Sequence, residues 1–152
     1  MVMAGFEELS WIERRLDKLW SALVAHEFDY RCFMCGQPGA DAHHWVYGRN
    51  THKYRWCIKN GIYLCRICHD KARADNGQAL ETALAKRNPK LIEWRDTRGP
   101  LIVEPITTSG MLFLTDSHER EVTKRGITVD GCHVKETQCV PNEINQAMSG
   151  MS

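Results

Sequence analysis

Four of the seven cysteines in this 152-residue chain fall into two matched pairs, Cys32-x2-Cys35 and Cys65-x2-Cys68. Each spacing lets both sulfurs of a pair face one ion, and four soft thiolates are the donor set of a closed tetrahedral zinc site. Twenty-nine residues separate the pairs, more than the roughly 15–20 of a compact zinc ribbon, so a small subdomain is expected between them. Zinc would hold together a hairpin and helix with too little apolar mass to fold alone. A zinc saturated by four sulfurs has no position left for water, so any chemistry must come from residues it holds in place. His43, His44, Asn60 and His69 stand between and beside the two pairs. A lone histidine is most often a core or surface residue, but three inside one metal-stapled unit are candidates for proton transfer or metal ligation.

The elements that must position these residues are short. Asp41 to Val46 reads as a strand, Asn60-Gly61 as a turn, and Ile62-Tyr63-Leu64 as a second strand. Cys65 to Ala72 then turns into a helix, with His69 on its first turn. Neighbouring side chains on a strand point to opposite faces, so strand-end twist would be needed to bring His43 and His44 to one substrate. Tyr47 to Arg55 is a polar, basic loop.

An amphipathic helix precedes this module, from about Glu7 to about Glu27, with Leu9, Ile12, Leu16, Leu19, Trp20 and Leu23 at three- and four-residue steps. The resulting organisation is an N-terminal helix over 1–28 packing on the core, a metal-bound core over 29–75, a helical extension over 76–98 broken by Pro89, and a poorly defined, partly flexible tail over 99–152. The expected class is α+β. Cys57, Cys132 and Cys139 fall in no pair and receive no role.

Composition narrows the function classes. No run approaches the roughly 18–20 apolar residues of a membrane span, and the first residues lack a secretory layout, so a cytoplasmic location is expected. Seven cysteines in such a chain, an odd number, point to metal or reactive thiols rather than a disulfide framework. Net charge is +1 overall, yet residues 29–75 carry +4. The positive charge is concentrated with the cysteines and histidines, where it suits a polyanion or, equally, a solvated surface.

The order Cys-x2-Cys, Ala-His-His, Asn-Gly, Leu-Cys-x2-Cys-His resembles the HNH endonuclease family, built on the ββα-metal fold. It is more similar still to phage recombination-type members called NinG or Rap, through Leu16-Asp17-Lys18-Leu19-Trp20-Ser21 and the loop from Gly48-Arg49 to Arg55-Trp56. The resemblance covers roughly residues 14–75. It implies a zinc-stapled ββα-metal core that hydrolyses DNA phosphodiester bonds, by nicking or cutting, in phage DNA recombination or processing within a bacterial cell. It further implies that His44 is the general base, that His43 and His69 ligate a catalytic divalent ion, and that Asn60 fixes the loop through backbone hydrogen bonds. Some relatives have a further ligand where this chain has Arg73. Two protein ligands leave the ion's identity open, with Mg²⁺ or Mn²⁺ foremost. Arg49, Lys53, Arg55 and Arg73 are candidates to grip flanking DNA phosphates. The competing expectation is a non-catalytic zinc module that binds nucleic acid or protein. A redox role for the CxxC thiols would require cysteines that a tightly held zinc does not leave free.

Overall fold

A computed structural model describes residues 2–48, 52–97 and 106–129. The expectations for Arg49, for the Lys53 side chain, for residues 98–105 and for the tail beyond residue 129 lie outside the described residues. In chain order the elements are α1 (Val2–Glu27), β1 (Asp41–His44), α2 (His52–Arg55), a 3-10 turn (Ile58–Asn60), β2 (Gly61–Leu64), α3 (Arg66–Ala74), α4 (Gln78–Arg87), α5 (Pro89–Thr97) and α6 (Thr108–Lys124). Among the described residues helices accompany one two-stranded sheet, so the class is α+β. Among the described residues no helix is long and apolar enough to cross a membrane.

The chain divides into two compact units, Leu23–Ile106 and Met1–Ala22 with Thr107–Ser152. In the unit Leu23–Ile106, β1 and β2 pair antiparallel with Asp41 opposite Leu64, His43 opposite Ile62 and His44 opposite Gly61. Ile62 and Leu64 are fully buried and form one core with Cys32, Ala72, Leu80 and Leu84, flanked by Phe28, Phe33, Leu91 and Ile92. Directly opposed residues share a face, and alternation puts Asp41 and His43 on the Ile62/Leu64 face, with His44 on the other.

Local chemistry sets the helix boundaries here. Cys65 is the N-cap of α3, its sulfur accepting from the Cys68 amide at 3.4 Å. After α3 the chain turns through Asn76 and Gly77, both at positive φ. The Asp75 carboxylate accepts from the amides of Gly77 at 2.9 Å and Ala79 at 3.1 Å, satisfying donors that the start of α4 leaves open. Pro89 opens α5, where a residue without an amide hydrogen costs nothing.

In the other unit, residues 2–22 of the N-terminal helix group with α6, while the helix as a whole runs from Val2 to Glu27. Within the stretch read as a poorly defined tail, Thr108–Lys124 is a seventeen-residue helix. The Thr107 hydroxyl caps it, accepting from the Gly110 amide at 3.1 Å. Its buried positions are Met111, Thr115, His118 and Val122, a helical stripe in which two of four members are polar. Thr115 satisfies its hydroxyl on the Met111 carbonyl at 2.8 Å, and Arg15 of α1 pairs with Glu119 at 3.1 Å.

Candidate functional site

The four paired cysteines meet. Among the described residues, Cys32, Cys35, Cys65 and Cys68 are the one set of three or more potential ligands whose donor atoms all converge, within 4.8 Å of one another. The Cys35 and Cys65 sulfurs are 3.7 Å apart. Zinc–sulfur bonds near 2.3 Å in a tetrahedron place sulfurs about 3.8 Å apart, so the set fits a structural zinc. Two backbone devices build it. Gly36 takes positive φ and donates its amide to the Cys32 carbonyl at 2.9 Å, closing the first knuckle. The second knuckle lies at the N-terminus of α3, whose dipole and open amides favour thiolate.

Burial pushes the Cys68 thiol up to about 12, and the adjoining Cys65, Cys32 and Cys35 sulfurs push it the same way. At Cys32 burial also acts upward, but backbone N–H donors at Cys65, Cys35 and Met34 bring the thiol down to about 7. Four thiolates in so small a volume repel one another unless a cation is shared among them, which couples metal binding to folding.

Beside the sulfur cluster, β1 and α3 bring two imidazoles together. The His43 and His69 ring centroids lie 4.9 Å apart, edge to face. Burial pushes His43 down to about 4, with further depression from the charges of His69, His44 and Arg73. Its ring is therefore neutral at neutral pH, the form that ligates a metal. The same influences put His44, His69 and Arg73 within electrostatic reach of His43. Arg73 is exposed.

His44 ends β1 opposite Gly61, a position without a side chain. Its Nε2 lies 2.9 Å from the Arg55 carbonyl oxygen. A carbonyl only accepts, so Nε2 carries the proton and the lone pair is on Nδ1. That tautomer suits a base whose positive charge, once it has taken a proton, the carbonyl dipole stabilises.

Asn60 is fully buried and braces the loop that follows β1. Its Oδ1 accepts from the amides of Val46 at 3.2 Å and Tyr47 at 3.1 Å. Its Nδ2 donates to the carbonyls of Tyr47 at 3.0 Å and Tyr54 at 3.1 Å. These bonds hold both ends of the segment from Val46 to Tyr54, and the next residue, Arg55, is the one bonded to His44. Tyr47 and Tyr54 stack at 4.9 Å within the same loop, and Trp94 of α5 meets Tyr54 edge-on at 6.1 Å.

Arg55 departs from its expected part as a phosphate grip. Its side chain is 8% exposed, with the guanidinium 4.8 Å from the Trp56 ring centre. Its contribution to the site is the backbone carbonyl. Asp41, by contrast, received no role from the sequence yet lies at the site, with Oδ2 3.4 Å from His69 Nδ1 and 3.2 Å from an Arg66 guanidinium nitrogen. The signal was its place two residues before His43, on the same strand face.

No protein-family model, curated protein or solved structure matches the chain.

Proposed function

We propose that this protein is a metal-dependent endonuclease of the HNH type that hydrolyses DNA phosphodiester bonds. The observation that carries this reading is the gathering of His43 and His69 at 4.9 Å beside the four-sulfur cluster, with His44, which ends the same strand on its other face, within electrostatic reach of His43. Hydrolysis needs a nucleophilic water, positive charge against the phosphate, and help for the departing oxygen. His44 Nδ1 takes the water's proton, while Nε2–H stays on the Arg55 carbonyl and keeps the ring oriented. His43 and His69 would hold a divalent ion, Mg²⁺ or Mn²⁺, which when bound supplies the charge that polarises the phosphate and stabilises the leaving oxygen. Arg73 adds a fixed cation near His43 and can contact a flanking phosphate. Asn60 holds the loop so that the Arg55 carbonyl keeps its place. Phage DNA recombination or processing in a bacterial cytoplasm is the setting the family resemblance suggests.

Plasmid nicking tests the reading. The zinc-loaded protein should nick supercoiled DNA with Mg²⁺ or Mn²⁺ and not with a chelator. A folded His44→Ala variant should lose about 10²–10⁴-fold of the rate, the usual worth of general-base assistance. Equal nicking by parent and variant would remove His44 as the base.

A second reading, a non-catalytic zinc module for nucleic acid or protein, is favoured by one observation: only the cysteines form a convergent ligand set among the described residues. Such a module would keep its binding after replacement of His43, His44 and His69, and would take up a single metal ion.

A further inference from the structure

Asp41 and His69 present an unusual pair of atoms. Asp41 Oδ2 and His69 Nδ1 are both shielded from water and neither makes a hydrogen bond. They nonetheless face each other at 3.4 Å, slightly beyond hydrogen-bond length. Buried polar atoms are rarely left so, and the arrangement fixes what each must be. A carboxylate oxygen only accepts. A lone pair on Nδ1 would set two acceptors against each other out of water, a repulsive contact that the Arg66 guanidinium at 3.2 Å relieves only on the carboxylate side. With the proton on Nδ1 the contact becomes attractive.

The carboxylate does not serve as a third ligand in this arrangement. Asp41, His43 and His69 do not form a set whose donor atoms all converge, whereas the four cysteines do. Asp41 therefore pairs with one imidazole and does not share a point with both. Asp41 is in turn engaged by Arg66 at 3.2 Å, from the first residue of α3, which ties the carboxylate to the helix that carries His69.

We infer that Asp41 is a positioning residue that holds His69 as the Nδ1–H tautomer, leaving the Nε2 lone pair for the divalent ion shared with His43. A carboxylate behind a metal-bound imidazole fixes ring orientation and raises ligand basicity. The metal part of this inference rests on the proposed catalytic site; the tautomer does not.

The ring nitrogens of His69 report the tautomer directly through two-bond nitrogen–proton correlations on the zinc-loaded protein at about pH 8, above the ordinary imidazole range. The parent should show Nδ1–H, and Asp41→Ala should return His69 to the Nε2–H form that free imidazole side chains prefer. Nε2–H in the parent, or an unchanged Nδ1–H in a folded Asp41→Ala protein, would overturn the assignment. The parent spectrum decides the matter even if the variant does not fold. Manganese affinity then reads the consequence, with a loss of roughly 10–100-fold expected in Asp41→Ala at unchanged zinc content. Unchanged affinity would overturn the positioning role. Nδ1–H in a parent that never nicks DNA would count against the nuclease reading alone. Nicking by a parent with Nε2–H would count against Asp41 alone.

Discussion

Two clusters of potential metal ligands lie side by side in the unit Leu23–Ile106, and they are built on different terms. The four sulfurs of Cys32, Cys35, Cys65 and Cys68 converge on one point and fill a tetrahedron, leaving no ligand position open. The imidazoles of His43 and His69 face each other with no third ligand among the described residues converging on both, so an ion held there would keep most of its coordination for water and phosphate. A filled site stabilises a fold, and an unfilled one can act on a substrate. The difference teaches that the first cluster should dominate stability and the second should dominate activity.

Removing a sulfur should give the largest effect. Cys65→Ser is expected to abolish stoichiometric zinc binding and the ordered fold of residues 23–106, because structural zinc contributes on the order of 10–16 kcal/mol to small domains. Zinc analysis with circular dichroism checks this. A folded, zinc-free variant would break the comparison. Leu84→Ala, in the fully buried core, should cost about 2–5 kcal/mol in denaturant unfolding. Asn60→Ala strips partners from backbone groups in the loop, each worth about 1–3 kcal/mol if left unpaired. It should therefore lower both stability and nicking, whereas His44→Ala, which strips the partner from a single carbonyl, should lower nicking far more than stability. Gly39→Ala would drive a methyl group into the Tyr63 ring and should cost about 1–3 kcal/mol.

The effect seen only below neutral pH concerns protons. His43 is depressed to about 4 in the folded chain, against 6.5 unfolded. The unfolded chain therefore binds the proton first. The contribution of His43 to stability is full above 6.5 and declines as pH falls toward 4. Its ring protons should titrate with a midpoint near 4, and a midpoint near 6.5 would contradict the burial described here.

How much of this could be read from residue order depends on how local each signal is. The cysteine pairs and the strand–strand–helix order were legible because spacing and turn residues act over a few positions. The break at Pro89 was legible for the same reason. α6 was not, because Thr115 and His118 occupy buried positions and blur its apolar stripe. Arg55 read as a surface cation, and only the tertiary arrangement folds it over Trp56 and turns its carbonyl toward His44. Asp41 lacked a role because its partner, His69, arrives from a helix twenty-eight positions later. The grouping of residues 2–22 with α6 is likewise a long-range matter that helical periodicity cannot encode.

Metal stoichiometry tests the contrast between the clusters most directly. The parent, purified with zinc and titrated with Mn²⁺, should retain one zinc and bind one manganese ion per chain. His69→Ala should lose the manganese and keep the zinc. A parent that binds no manganese, or a His69→Ala protein that binds it as tightly, would contradict the account.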